Sequence, residues 1–307
     1  MLKLISKTLV RLLLSISVCF SFLVQGFFAQ EVFAEESAET ESNSATTAGG
    51  QNIQQLPKWE LALGAGAVSF PYYPGSASSR TFVFPAVVPL YRGKYLKLDD
   101  DGLRGELYDS DRFDLDFSVD FNLAVDSEDV EERLGMPDLD HIVQVGPSLE
   151  WMLKKYDNDE WLFKLGLRAA VAVDGFDFNA TGYTANPQLT WYRNFDAWNR
   201  SWRLGVTGGL LFGSEKYHDF YYQVDQEFST AGRRQFDASG GFSGFRSIAT
   251  MVSRNPKSWM ALFARYENYS GASYEDSDLL GASDGLTIGF VYSRFLSRSK
   301  TLVNAER

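Results

Sequence analysis

Residues 112–125 read RFDLDFSVDFNLAV, and the hydrophobic positions fall on every second residue. Phe113, Leu115, Phe117, Val119, Phe121, Leu123 and Val125 form one set; Arg112, Asp114, Asp116, Ser118, Asp120, Asn122 and Ala124 form the other. Strand side chains alternate faces, so this stretch predicts a strand with one apolar and one polar face. At about 3.3 Å per residue it is long for a soluble strand, where about 5–6 residues is usual. It is long enough for a tilted strand of about 9–11 residues that crosses a bilayer. Alone, it fits two architectures. One is a soluble sandwich or barrel with the apolar face inward. The other is an outer-membrane barrel with that face toward lipid and the acidic face toward the lumen.

The pattern recurs along the chain with almost no helical periodicity. It predicts strands at 59–69, 80–91, 94–98, 103–108, 112–125, 141–154, 160–174, 181–195, 201–213, 241–253, 258–269 and 285–295. Pro85 and Pro89 are awkward within the second of these, because proline cannot donate to a ladder, and they point to a bulged or locally unpaired strand. Gly64-Ala65-Gly66 lacks the third glycine and the following helix of a dinucleotide loop. Asp99, Asp100 and Asp101 are consecutive rather than alternating, which suits a solvated turn better than a calcium loop.

Loop lengths discriminate between the two architectures. If the first strand rises from the periplasm, the periplasmic turns are 92–93, 109–111, 155–159, 196–200 and 254–257, all short. The outer loops are 70–79, 99–102, 126–140, 175–180, 214–240 and 270–284, which include the four longest. Outer-membrane barrels have even strand numbers, short periplasmic turns and long outer loops. Trp151, Trp161, Trp198, Trp202 and Trp259 fall near the periplasmic strand ends, where an interfacial girdle belongs. The expectation is an all-β, antiparallel, up-and-down transmembrane β-barrel of about 12 strands.

Composition refines this picture. Lys3, Lys7 and Arg11 precede an apolar run at 12–24, and Val32-Phe33-Ala34 offers a cleavage site, so residues 1–34 read as a secretory signal peptide. Cys19 could alternatively mark a lipoprotein, but Val18 is bulky where a small residue is expected. Without the leader the chain keeps no cysteine and is more acidic than its formal −11, a poor composition for binding nucleic acid. Residues 35–58 are polar and read as a flexible arm, 59–295 as the barrel, and 296–307 as a polar tail.

The candidate lumen-facing residues are Arg112, Asp114, Asp116, Asp120, Glu150, Lys164 and Arg168. Their mixed charges could pair and plug the lumen or line a channel, which the acidic excess would bias toward cations. The longest outer loop carries Glu215, Lys216, Tyr217, His218, Tyr221 and Tyr222. His218 beside carboxylates could act as a base, but no nucleophile is marked by spacing, and His141 and His218 with scattered carboxylates make no recognisable metal site. Neither an enzyme nor a cofactor is expected.

Several blocks resemble a known family. They are Pro71-Tyr72-Tyr73-Pro74-Gly75-Ser76 after a Gly-rich strand, Gly146-Pro147-Ser148-Leu149, and Phe212-Gly213-Ser214-Glu215-Lys216-Tyr217-His218 followed by Phe220-Tyr221-Tyr222-Gln223-Val224. Arg234-Gln235-Phe236, Gly240-Gly241 and Asp276-Ser277 add to the likeness. The chain resembles the MltA-interacting protein (MipA/OmpV) family of outer-membrane proteins over about residues 59–295. That resemblance implies an outer-membrane scaffold joining a murein lytic transglycosylase to a murein synthase; other members are described as porin-like or adhesive. The family ends on an aromatic residue, a role Phe295 fits, although twelve residues follow it.

Overall fold

Along many of the strands it is the polar set that is buried. Asp116 is 6% exposed while its neighbour Phe117 is 44% exposed; Lys164 is 6% exposed and Leu167 49%; Arg203 is 3% exposed and Val206 38%. In water, each large apolar side chain left outside forfeits about 1.5–3 kcal/mol of burial. A wall built this way is matched to lipid outside and polar contacts inside.

The computed structural model describes residues 55–92, 96–99, 102–110 and 112–304. The signal peptide expected at 1–34 and most of the arm expected at 35–58 lie outside these residues, as do Asp100 and Asp101. Twelve antiparallel strands among the described residues close a barrel in chain order. They are β2 (Trp59–Pro71), β3 (Ser79–Arg92), β4 (Leu96–Asp99), β5 (Gly102–Asp109), β6 (Phe113–Asn122), β7 (His141–Lys155), β8 (Asp159–Asp174), β9 (Asp177–Ala197), β10 (Arg200–Gly213), β11 (Gly241–Arg254), β12 (Ser258–Asn268) and β13 (Asp284–Arg298). β13 closes on β2, with Ile288 opposite Ser69 and Arg298 opposite Glu60. A separate ribbon pairs β1 (Gln55–Pro57) with β14 (Leu302–Asn304).

The connections differ sharply between the two ends. At one end, 156–158, 198–199 and 255–257 are tight turns. Trp198 has a φ of 54° and Asn199 a φ of 57°. A two-residue type I′ hairpin demands just such a left-handed pair. The Asn255 side-chain oxygen accepts from the Lys257 amide at 2.9 Å and from the Ser258 amide at 2.7 Å. That arrangement is an Asx turn. At the other end lie 72–78, 123–140, 214–240 and 269–283, and the third of these contains helix α1 (Glu215–Tyr222).

The structure revises several expectations. The strand expected at 112–125 ends at Asn122, because Val125 instead bridges to Leu139 inside the following loop. The outer loop expected at 175–180 is a tight turn, since β9 already starts at Asp177 and runs 21 residues. The arm and tail are not wholly unstructured: residues 55–57 and 302–304 satisfy each other as β1 and β14, and β13 continues to Arg298. The girdle loses one tryptophan and keeps another under cover. Trp259 is 2% exposed and packs inside the barrel, while Trp202 is covered on the outside by Trp198, whose ring meets it edge-on at 5.8 Å.

Pro85 and Pro89 fit without a bulge. β3 pairs with β2 without interruption from Tyr91 to Ser79. Residues of one parity direct their N–H toward β2 and those of the other parity direct it away. An unbroken ladder therefore places both prolines with the missing N–H on the far edge. Among the described residues that edge is largely open: β3 meets β4 through Tyr91 and Arg92. On the other side of the short β4–β5 hairpin, β6 meets β5 only between Asp114 and Phe117. Among the described residues the wall thus has a notch between 79–90 of β3 and 118–122 of β6.

Candidate functional site

Several of the charges that face the interior pair within the wall. Glu150 and Lys164 sit opposite each other in the β7–β8 register and pair at 3.0 Å. Glu160 holds Lys155 at 3.2 Å and Arg203 at 3.0 Å. Glu60, 3% exposed, is shared by Arg92 at 3.0 Å and by Arg254. Glu267 accepts from Arg246 Nε at 2.7 Å and from the Tyr269 hydroxyl at 3.0 Å. A charge taken out of water is costly unless it is paired and hydrogen-bonded, and these carboxylates are both.

Asp116 is buried, and Asp114 and Asp120 are half-buried; Asp120 Oδ1 accepts from the Phe121 amide at 2.8 Å. Arg168, half-buried, donates from Nε to Ser118 Oγ at 3.0 Å. Arg112 does not join them. It precedes β6 in a bend and is exposed, because pairing across β7 starts only at Phe113. Glu60, Arg92, Glu160, Arg203, Arg246, Arg254 and Glu267 were not singled out from the sequence. Each occupies the inward parity of its strand, and that alternation was the signal available.

An apolar patch lies between these charges. Ala62, Val68, Ala86, Val88, Leu90 and Phe263 form a buried cluster with Trp259 on the inward parity of β2, β3 and β12. The barrel interior is therefore mixed: an aliphatic and aromatic patch lies along β2, β3 and β12 between charged positions of the same strands, Glu60, Arg92 and Glu267, while β6–β10 turn mostly charged and amide-bearing residues inward.

At the long-loop end the four long loops pack on one another. Tyr73, Val125, Val130, Leu139, Tyr221, Tyr222, Val224, Tyr269, Tyr274 and Leu279 make one buried cluster, so segments from all four long loops share a core. Ser214 caps α1, its Oγ accepting from the Tyr217 amide at 3.4 Å. The helix hangs into the barrel mouth. Gln144 of β7 donates to the Tyr217 hydroxyl at 3.4 Å, and Asn122 of β6 donates to that of Tyr221 at 3.2 Å. Burial pushes the hydroxyl of Tyr217 up to about 12 and those of Tyr221 and Tyr222 well above the usual phenol range, so all three stay neutral donors.

Arg133 is 3% exposed; it donates to the Pro137 carbonyl of its own loop at 3.0 Å and ties that loop to the helix through the Tyr221 carbonyl at 3.2 Å. Arg233 does the same from the helix loop, reaching the Glu132 carbonyl at 3.0 Å and the Leu134 carbonyl at 3.1 Å. On the exposed rim Arg234 makes a two-pronged pair with Asp278, each prong 3.0 Å long. That pair holds the Asp278 carboxyl below its ordinary range.

The six loop residues singled out in the sequence divide between the two faces of α1. Glu215 and Lys216 are exposed; Tyr217 is half-buried; His218, Tyr221 and Tyr222 are buried. A helix was not expected there, because eight residues are too few for periodicity to declare itself. His218 Nδ1 lies 2.7 Å from the Ser239 carbonyl oxygen. A carbonyl can only accept, so Nδ1 carries the proton. Nε2 then accepts from Ser243 Oγ at 2.7 Å. This is the tautomer of a serine–histidine pair. Here, however, His218 is fully enclosed, and a carbonyl rather than a carboxylate orients it, which is the arrangement of a structural histidine. Gly213 lets the ring lie against the barrel wall, since any Cβ there would collide with it. Among the described residues no group of three or more His, Cys, Asp or Glu could hold a metal ion.

Among curated proteins none matches the chain in sequence. Solved structures with similar backbones include a bacterial polysaccharide outer membrane secretin, at 9% identity and TM-score 0.41, covering 78% of this chain and 99% of that one. A Pseudomonas aeruginosa FadL homologue overlaps at 9% identity and TM-score 0.29, over 77% of this chain and 89% of its own. Pseudomonas aeruginosa OprG overlaps at 12% identity and TM-score 0.22, over 80% of this chain and 97% of its own. With TM-scores this low, none of these bears on what the chain does. The sequence match is of a different order: residues 63–295, nearly the whole barrel, match the family described as MltA-interacting protein MipA. With that match and a wall that turns its apolar side chains outward, the chain belongs to the MltA-interacting protein MipA family and is an outer-membrane β-barrel protein.

Proposed function

We propose that this barrel works as a non-conducting scaffold that holds a murein lytic transglycosylase, together with a murein synthase, at the inner surface of the outer membrane. The family's description supplies the transglycosylase partner. The observation that carries the reading is the cap. A loop core with Tyr222, Tyr269 and Leu279 each no more than 2% exposed packs across the long-loop mouth, which favours a closed barrel over an open pore. The paired interior carboxylates point the same way, because ions satisfied within the wall are not lining a cation path.

The docking end in this reading is the short-turn end. An even strand number brings both chain termini out on one side, the periplasmic side in such barrels. There the β1–β14 ribbon continues the β2–β13 seam, tied by Lys58 N to Thr301 O at 2.9 Å and by Arg92 to the Pro57 carbonyl at 2.8 Å. Planar-bilayer recording joined to a pull-down tests the proposal. The purified barrel is expected to give no stepwise current and to retain a purified lytic transglycosylase. Steps in an intact barrel with no retention would return the chain to the porin-like, cation-favouring reading.

A further inference from the structure

Where β7 to β10 meet, the register sets small outward side chains between large ones. Ala185 of β9 lies opposite Leu167 of β8 on one side and Phe212 of β10 on the other. One row nearer the long loops, Ala169 of β8 lies between Val145 of β7 and Tyr183 of β9. All six have the lipid-facing parity, since Gln144, Lys164, Asn186 and Thr207 on the alternate parity are buried. Leu167, Tyr183 and Phe212 are 49%, 70% and 36% exposed. Among the described residues, an apolar groove of about 410 Å³ lies between them over Ala169 and Ala185. Ligand pockets typically span about 300–1,000 Å³.

The groove lies in the half of the wall nearer the long loops, which face outward in barrels of this class. Trp161 and Trp191, with ring centroids 6.3 Å apart, mark the opposite girdle. Tyr183 is eight residues up β9 from Trp191. That is about 26 Å along the strand, or about 20 Å across the bilayer at a tilt of about 35–45°. The apolar band of such a barrel is about 25 Å tall, so the groove faces the outer leaflet, with the Tyr183 hydroxyl near its border.

The outward strip continues above the groove. Thr181 is an extra residue in the ladder, because Ala170 pairs with Gly182 and Val171 with Ala180. Gly182 takes up this bulge with a φ of 107°. The outward parity therefore passes to Phe178, which pairs with Val173. Phe178 is 68% exposed, and Phe176 in the turn is 96% exposed. By the same reckoning Phe178 stands about 30 Å above Trp191, beyond the apolar band and among headgroups. A phenyl ring there has no acyl chain to lie against, and its electron-rich face suits the C–H faces of a sugar. Asp174 and Asp177, paired across the same turn and both exposed, are acceptors for hydroxyl groups.

We propose that this strip binds one glycolipid of the outer leaflet. An acyl chain lies in the groove over Ala169 and Ala185. The saccharide packs on Phe176 and Phe178, with its hydroxyls donating to Asp174 and Asp177. The site is on the outside of the wall, so it stands independently of whether the barrel conducts and of whether murein enzymes dock at the other end.

Native mass spectrometry of the intact barrel, released from detergent with either a short-core lipopolysaccharide or dimyristoyl phosphatidylethanolamine, tests this. One retained lipopolysaccharide per barrel is expected, with the phospholipid retained about tenfold less. Ala185→Phe fills the groove from a lipid-facing position and should lower lipopolysaccharide retention about tenfold. Phe176→Ser combined with Phe178→Ser, in and beside the turn, should bring it down to the phospholipid level; this second variant keeps the test decisive if the first does not insert. Heat-modifiable gel migration confirms which variants are folded. Equal retention of the two lipids by the unaltered barrel would overturn the choice of a glycolipid. Undiminished retention in either folded variant would place the bound lipid elsewhere on the wall and overturn the site.

Discussion

Tyr222 and Tyr274 lie ring on ring, with centroids 3.7 Å apart and planes within 9° of parallel. One comes from the helix that hangs in the barrel mouth, the other from the loop before the last strand. Each ties down a further segment: the Tyr222 hydroxyl donates to the Pro74 carbonyl and the Tyr274 hydroxyl to the Ser243 carbonyl, both at 2.7 Å. This stack therefore joins three long loops and the wall at the point where the barrel would otherwise open.

Removing one ring should unseal the mouth. Tyr222→Ala deletes the stack and a buried hydrogen bond, at a cost of about 3–5 kcal/mol to the cap. Stepwise conductance in planar bilayers is expected from Tyr222→Ala and silence from the wild type. Tyr222→Phe loses only the hydroxyl contact, about 1 kcal/mol, and should stay silent. A silent Tyr222→Ala barrel would place the block in the interior ion pairs instead.

The cap should loosen in mild acid through His218. Burial holds its imidazole below the ordinary histidine range. The unfolded loop takes up a proton first, near about pH 6.5, so cap stability is full above that pH and declines as pH falls toward the depressed folded value. Asp219, raised by burial and by Glu215, has the opposite sign, and its effect begins lower, in the carboxylate range. Limited proteolysis of the loops should therefore accelerate between about pH 7 and pH 5. The acceleration should be smaller in His218→Gln, and equal pH responses would show that His218 does not govern it.

Glu60 should be worth more than a surface ion-pair partner. Glu60→Ala leaves Arg92 and Arg254 facing each other inside the barrel, a change expected to cost about 3–5 kcal/mol. Glu60→Gln keeps a hydrogen-bond acceptor and should fall between. The urea midpoint for loss of the heat-modifiable form orders the three proteins, and no shift in Glu60→Ala would mean that water solvates these arginines freely.

The open edge of β3 makes a prediction about proline that a closed wall would not. Val87 shares its parity with Pro85 and Pro89, so Val87→Pro removes an N–H that points into the notch and should be tolerated. Ala86→Pro removes one that points at β2 and should cost about 3 kcal/mol or more. Outer-membrane yield of the folded form distinguishes them; equal loss in both would close the notch.

Much of this architecture is written in the alternation of residues. Phe113 to Val119 and Val143 to Trp151 announce their strands because a pleated backbone must put alternate side chains on opposite faces. Short turns such as Asn255-Pro256 and long loops such as 214–240 are visible as breaks in that alternation. Because a period of two has no inside or outside, alternation alone could not orient the faces, and the pattern of loop lengths was needed to choose. Other features were illegible for definite reasons. Trp259 looks like a girdle residue by its position in the chain, but its strand parity turns it inward among Ala62, Val88 and Val252. Arg112 continues the polar register on paper, yet pairing begins one residue later.

The chain by itself determined the strands, their order, the turn end and the loop end, since these depend on local periodicity and turn chemistry. Tertiary structure alone decided which cation meets which carboxylate, how the loops form one core, and where the wall is left open. Those depend on register and closure, which bring Glu60 to Arg254 across 194 residues and Tyr73 to Leu279 across 206. No local pattern encodes contacts at that separation. They arise when a twisted sheet closes on itself and each polar group enclosed must find a partner there.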